Sequence, residues 1–245
     1  MRTTTLPLPP ALSSFAPCAL FLDFDGTLVQ IAARPDAIEV ATGLPALLLE
    51  LADRLDGRLA IVTGRQLADL DRYLGPIEIA MAGSHGGEFR EAGAREAARL
   101  AEPLPGAVVS ELDAFAKEVP GVLIETKPFS AAVHYRAAPE AAGKVMRTVE
   151  AVAQETGLVL KHGKMVVELT TPGSDKGVAV DRFMAMPRFA GSRPVFVGDD
   201  MTDEDAFKAV LNHGGCGILV GSQRETEALW RLPGVAEVHA WLKAA

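Results

Sequence analysis

The sequence predicts an α/β protein: a parallel-sheet core flanked by helices, with a smaller α+β unit inserted into it. Three observations carry that prediction. Short apolar runs end abruptly in polar or acidic residues at positions 19–28, 59–65 and 195–205, as buried parallel strands do at one edge of a sheet. Leucine-rich stretches at helical spacing separate the first strands, the alternation expected of βα units. Between Pro103 and Pro172 the pattern changes to a helix, a strand pair, a second helix and a hairpin.

The first strand, Ala19-Leu20-Phe21-Leu22, runs into Asp23-Phe24-Asp25-Gly26-Thr27. Ligands of open α/β sheets bind just outside the carboxyl ends of such strands. Asp23 and Asp25 are two apart, so in an extended chain both point to one side, and Gly26 lets the backbone turn or approach a ligand closely. Two converging carboxylates repel unless a cation or a proton lies between them. A divalent metal answers that need and leaves one carboxylate for covalent or proton-transfer work. The plainer alternative is a strand ending in an Asp-Gly turn.

Residues 1–16, Thr- and Pro-rich and without a signal-peptide core, read as a loose leader. After the first strand, residues 31–42 read as a loop carrying substrate past the site. Leu44, Leu47, Leu48, Leu51 and Leu55 mark the packed face of a helix. A second strand, Leu59-Ala60-Ile61-Val62, ends in Thr63-Gly64-Arg65, and Leu67, Leu70 and Leu74 mark the next helix. A hydroxyl beside the amides that open a helix suits phosphate oxygens; a Thr N-cap with no ligand is the alternative.

Residues 77–82 predict a third strand, leading into Gly83-Ser84-His85-Gly86-Gly87-Glu88. This is no dinucleotide fingerprint, because the glycine spacing is wrong. His85 there either touches substrate or bonds to backbone. Residues 102–106 read as a linker, followed by a helix (108–118), strands (122–125 and 131–136), a helix (139–157) and a hairpin of 158–162 with 165–169 across Gly163-Lys164.

The core resumes at Ser174-Asp175-Lys176-Gly177, opening a helix with Val178, Val180, Phe183 and Met184. A lysine in a first turn opposes the helix dipole, so it is either solvated there or facing anions. The strand Val195-Phe196-Val197-Gly198 ends in Asp199-Asp200-Met201-Thr202-Asp203-Glu204-Asp205. Acidic residues suit a helix N-terminus by themselves, but Asp199 and Asp200 stand at the strand tip, as Asp23 and Asp25 do. Residues 217–220 and 235–238 read as the strands that complete the sheet. The expected domains are a discontinuous core (17–104 and 173–245), an α+β cap (105–172) and the leader.

At 245 residues and 49% hydrophobic the chain can fill such a core. A net charge of -8 and a pI near 5.2 exclude nucleic acid and anionic membrane as natural partners. An anionic small molecule remains compatible, since a bound cation reverses the local sign. Cys18 and Cys216 read as small buried residues, with one disulfide as the alternative. No apolar run is long enough to span a membrane, and a cytoplasmic location is expected.

Taken together, Asp23-Phe24-Asp25-Gly26-Thr27, Thr63, Lys176 and Gly198-Asp199-Asp200 resemble, in this order, the motif set of the haloacid dehalogenase-like (HAD) phosphohydrolases. The resemblance implies a Rossmann-like sheet with the motifs at its carboxyl edge and a cap inserted between the second and third motifs. It also implies roles. Asp23 is the nucleophile, forming an aspartyl-phosphate. Asp25 is the acid and base. Mg²⁺ sits on the Asp23 carboxylate, the Asp25 carbonyl and Asp199, while Asp200 and Asp203 hold metal-bound water and orient Lys176. Thr63, Lys176 and nearby amides hold the phosphoryl oxygens, with Gly64 and Arg65 among the substrate-binding residues. A P-type ATPase is excluded by the lack of membrane spans and by the second carboxylate at Asp25.

Gly163-Lys164-Met165-Val166-Val167-Glu168, His134-Tyr135-Arg136, Gly83-Ser84-His85-Gly86 and Gly198-Asp199-Asp200-Met201-Thr202-Asp203-Glu204 resemble, more narrowly, the trehalose-6-phosphate phosphatases. That resemblance runs from about residue 18 to the end of the chain. It implies a phosphosugar substrate whose hydroxyls are gripped by Lys164 and Glu168, with Arg136 and His85 helping to select the sugar. No synthase-like domain is expected on this chain, so a trehalose-6-phosphate synthase partner is expected to act in trans. A phosphatase of another phosphosugar such as sucrose 6-phosphate, a phosphosugar mutase, and a phosphate-binding module without turnover are the alternatives.

Overall fold

The computed structural model describes residues 5–32, 37–163 and 165–244. Lys164, the middle of the expected substrate loop (33–36) and the first residues of the expected leader (1–4) lie outside them. Two compact units emerge: Met1–Ala98 with Asp175–Ala245, and Arg99–Ser174.

The larger sheet contains β1 (Cys18–Leu22), β2 (Leu59–Val62), β3 (Ala80–Gly83), β4 (Glu88–Arg90), β5 (Ala98–Arg99), β10 (Arg193–Gly198), β11 (Cys216–Val220) and β12 (Trp230–Leu232). Their order is β12-β11-β10-β1-β2-β3-β4-β5. All neighbours from β12 to β3 are parallel, and β4 is antiparallel to β3. The α/β class expected from the sequence is the observed one.

Every residue of β1 is buried, because side chains alternate between two covered faces. Leu20 and Leu22 join Leu44, Leu48 and Leu51 of α1 (Leu44–Arg54), Leu70 and Leu74 of α2 (Leu67–Leu74), and Val238 and Leu242 of α7 (Val235–Lys243). Ala19 and Phe21 face the other way. They join Val180 and Phe183 of α5 (Lys176–Met184) and Phe207 and Val210 of α6 (Glu204–Asn212). Phe21 lies 5.7 Å, centroid to centroid, from both Phe183 and Phe189. Fully burying each such side chain stabilises the fold by about 1.5–3 kcal/mol, so this strand is the anchor of the unit.

From β1 the chain goes to β2 on one side, and β10 pairs on the other. The sheet order therefore reverses at β1, the switch point beside which open α/β sheets bind ligands. Asp23 follows directly, its N–H donating to Val197 O at 2.9 Å.

The second unit is a four-stranded antiparallel sheet, β6-β7-β9-β8, formed by β6 (Leu123–Lys127), β7 (Ser130–His134), β8 (Val159–Gly163) and β9 (Val166–Thr170). Val133, Val167 and Leu169 pack with Leu112 and Phe115 of α3 (Gly106–Glu118) and Val145, Val149 and Val152 of α4 (Ala142–Thr156). The register sets Glu125, Ala132, Glu168 and Lys161 in one row across the sheet. The expected hairpin is thus part of a larger sheet, with β9 also paired to β7.

Three expectations are corrected. Residues 235–238 are the first turn of α7, not a strand, and the edge strand beside β11 is β12. Val235, Val238 and Leu242 recur at helical spacing and are buried together; four residues alone could not distinguish that period from a strand. The described part of the leader is not loose. Leu12 and Phe15 are 3% exposed in a 3-10 turn, and Pro7 O, Pro10 O and Leu6 N bond to Arg231, Trp241 and Gln223. The third strand starts at Ala80 rather than Ile77, although Ile77 and Ile79 are buried. Cys18 and Cys216 are buried and unbonded to each other; burial pushes the Cys18 thiol up to about 12.

Candidate active site

Four loops at the carboxyl ends of β1, β2, β3 and β10, with the first turn of α5, carry the candidate residues. Gly26 is what lets the first and last loops meet. Its φ is 78°, and a Cβ there would collide with the Asp199 carboxylate, so any other residue would be strained and would displace an acid.

Lys176 is the centre of the arrangement. Asp175 caps α5, its Oδ1 accepting from Val178 N at 2.8 Å, and this fixes the helix start from which Lys176 projects. Lys176 Nζ donates to Asp23 Oδ1 at 2.7 Å and to Asp203 Oδ1 at 2.6 Å. All three are at most 3% exposed. Burial pulls the lysine pKa down, but the charges of Asp203 and Asp23 more than offset it and the net direction is upward. It stays an ammonium.

Asp199 completes a cluster: oxygens of Asp23, Asp199 and Asp203 lie within 4.8 Å of one another. Burial is the largest influence on Asp199, with the charges of Asp203 and Asp200 adding to it against Lys176, and its carboxyl is raised to about 7. Burial also pushes the Asp23 carboxyl up, against the pull of Lys176. Three acids and one ammonium leave negative charge uncompensated, and Asp199 Oδ1 is buried without a hydrogen-bond partner among the described residues. The donor set is all oxygen, which fits a hard divalent cation.

The raised Asp199 has a measurable consequence. Because the folded state holds this proton more tightly than the unfolded chain, this carboxyl's contribution to metal-free stability should fall as the pH climbs from 3.8 to about 7. Chelated protein should therefore melt at progressively lower temperature across that window, and Mg²⁺ should raise the melting temperature most above it. A metal-free melting curve that does not fall with pH would contradict this.

Asp200 and Asp203 do different things. Asp203 Oδ2 accepts from Asp200 N at 2.9 Å, while Asp200 Oδ1 accepts from Met201 N at 2.7 Å. This capping box tightens the turn that precedes α6. Asp200 is exposed and Asp203 fully buried, so the inward carboxylate is that of Asp203.

Thr63 is 1% exposed. Its N–H donates to Ala82 O at 2.9 Å, and its Oγ1 accepts from Arg65 N at 3.2 Å. The β3 loop clamps this segment. Ser84 N donates to Arg65 O at 2.7 Å and His85 N to Thr63 O at 2.9 Å, with Ser84 and His85 both at positive φ, 50° and 56°. Such strain in non-glycine residues persists only where surroundings impose it. The His85 ring lies against Gly64, where a Cβ would come within 2.6 Å of Nε2. The side chain of Arg65, a residue expected to bind substrate, forks onto Asp25 (2.6 and 2.7 Å).

In the second unit, Glu168 Oε1 accepts from Ser130 Oγ at 2.6 Å, and Arg136 is exposed just beyond β7. Lys164 lies outside the described residues.

Two contributors escaped the sequence reading. Glu88 Oε2 accepts from Leu67 N and Ser84 Oγ, both at 3.0 Å, joining the β2 and β3 loops. Arg224 Nη2 donates to Asp200 O at 2.8 Å, and its Nη1 pairs with Glu204. Neither lies in a motif. The only sequence signal was an acid following Gly86-Gly87 and a basic residue in a polar loop after a strand.

Comparison with known proteins identifies the family. The family model described as trehalose-phosphatase matches residues 21–236. The trehalose-6-phosphate phosphatase of Escherichia coli (strain K12) is 36% identical over 241 residues, covering 98% of this chain and 90% of its own length. A probable trehalose-phosphate phosphatase of Sinorhizobium fredii is 41% identical over 222 residues, covering 88% and 82%. A solved trehalose-6-phosphate phosphatase structure from Aspergillus fumigatus superposes with a TM-score of 0.77 at 28% identity, covering 98% of each chain. The chain therefore belongs to the trehalose-phosphatase family.

Proposed function

We propose that this protein hydrolyses trehalose 6-phosphate to trehalose and phosphate through an aspartyl-phosphate on Asp23, with Mg²⁺ bound. The observation that carries the mechanism is the single ammonium of Lys176 shared by Asp23 and Asp203 beside Asp199. Asp23, Asp199 and the Asp25 carbonyl are the groups to hold the ion, with Asp203 fixing Lys176 and Asp200 shaping the turn beside it. When bound, Mg²⁺ neutralises carboxylate and phosphoryl charge and so lets one anion approach another.

The chain's own residues perform the rest. Lys176 keeps one Asp23 oxygen engaged, and the other attacks phosphorus. The bond to the sugar oxygen breaks, and Asp25 gives that oxygen a proton. Water then attacks the same phosphorus, Asp25 takes its proton, and the electron pair of the broken P–O bond returns to Asp23. The Thr63 hydroxyl, the Gly64 amide and Lys176 hold the equatorial oxygens while their charge develops.

These groups read a phosphoryl group and nothing of the alcohol. We assign the choice of sugar to the second unit, in the role of cap, through Glu168, Arg136 and Lys164, with His85 contributing from the β3 loop. A disaccharide offers a second ring whose binding can be used to align the phosphate. Phosphate release across a panel of phosphosugars tests this. kcat/KM for trehalose 6-phosphate should exceed that for glucose 6-phosphate by ~10²-fold or more. Glu168→Ala should cost about 1–3 kcal/mol on trehalose 6-phosphate and much less on p-nitrophenyl phosphate. Comparable efficiency on sucrose 6-phosphate would overturn the trehalose assignment and leave the phosphatase one standing. No described helix is long and apolar enough to cross a membrane; a cytoplasmic site of action, with a trehalose-6-phosphate synthase supplying substrate in trans, completes the proposal.

A further inference from the structure

The carboxylate that must handle protons in both steps is held by one side chain. Arg65 Nε lies 2.6 Å from Asp25 Oδ2 and Arg65 Nη2 2.7 Å from Asp25 Oδ1, a fork that fixes the carboxylate plane as well as its position. The guanidinium stands 5.9 Å from the Phe24 ring centroid and 5.3 Å from that of Tyr73. Its backbone is fastened on both sides, N–H to Thr63 Oγ1 and carbonyl to Ser84 N. Exposure is unequal: 11% for the Arg65 side chain and 35% for Asp25. The cation is the fixed member of the pair and the carboxylate the accessible one.

We propose that Arg65 is a positioning residue for the second chemical step, aiming Asp25 at the water that cleaves the aspartyl-phosphate. The fork occupies the carboxylate lone pairs that face the guanidinium and leaves the outward ones for a water proton. In that step the water oxygen bonds to phosphorus, the P–O bond to Asp23 breaks with its electron pair returning to the Asp23 carboxylate, and the water proton passes to Asp25. The inference rests on the reading of Asp23 as nucleophile and Asp25 as proton carrier. It separates the two steps, because nitrophenolate leaves without needing a proton whereas water still needs a base.

Rapid-mixing kinetics of the full chain with Mg²⁺ and p-nitrophenyl phosphate tests this. Arg65→Met should release about one nitrophenolate per enzyme in a burst and then turn over about 10²-fold more slowly than wild type. Acid quenching should trap the accumulated phosphoenzyme. Arg65→Lys keeps the charge without the fork and should show the same burst with a smaller slowing. A uniform loss with no burst, or a KM that rises in step with the loss, would overturn the proposal and make Arg65 a substrate ligand. If Arg65→Met fails to fold, Arg65→Lys decides, and absence of its burst overturns the proposal. Failure of the underlying reading looks different: Asp23→Asn would still turn over and wild type would yield no trapped phosphoenzyme.

Discussion

Asp23→Asn is expected to lower phosphate release by about 10⁴-fold or more, the scale seen when a nucleophile is removed from a preorganised site. The amide is the same size and its oxygen can still accept from Lys176 Nζ, which lies 2.7 Å from Asp23 Oδ1. The backbone is equally secure, with Asp23 N bonded to Val197 O and the preceding strand buried on both faces. Folding should therefore survive. Metal-free stability is expected to hold or rise, because the substitution removes one of three negative charges gathered within 4.8 Å. Phosphate release, acid-trapped phosphoenzyme and thermal unfolding, measured together, check the prediction. Covalent labelling retained in Asp23→Asn would show that another side chain attacks phosphorus.

The fold was largely legible because buried parallel strands carry a strong signal. β1, β2 and β10 each combine an apolar run with an abrupt polar end, and the chemistry-bearing residues stand at those ends. What stayed illegible depended on partners distant in sequence. Asp200 and Asp203 occupy the same acidic run, and only the buried Lys176 ammonium, 27 residues from Asp203, distinguishes the inward one. Arg65 next to Thr63 and Gly64 reads as a substrate-binding residue, and nothing local signals that its side chain forks onto Asp25, 40 residues away. Glu88 and Arg224 act on main-chain atoms of Leu67 and Asp200, and a backbone atom leaves no residue type to search for. The described leader residues were misread for a related reason. Leu12 and Phe15, scattered among prolines and serines, show no period, although they fill the same core as Leu51 and Cys18.

Lys176→Met is expected to have the other large effect, and to separate charge from packing. Methionine matches the lysine stem but supplies no cation, so Asp23, Asp203 and Asp199 would face one another uncompensated. Removing one partner of a buried ion pair costs about 3–5 kcal/mol, because the remaining charge has no counter-ion. The carboxyls can relieve this by keeping protons, as Asp199 already does with its pKa raised to about 7. Folded Lys176→Met should therefore bind more protons than its unfolded chain over a wider range than wild type. Its stability should fall more steeply as the pH rises towards 8 and recover partly towards 5. Mg²⁺ replaces some of the missing positive charge and should restore part of the stability. Activity should stay about 10³-fold down at any Mg²⁺ concentration, because the ammonium that meets the developing phosphoryl charge is gone. Denaturant unfolding at the two pH values, with and without Mg²⁺, provides the measurement. A loss of equal size under all four conditions would mean that the lysine contributes volume to the site rather than charge.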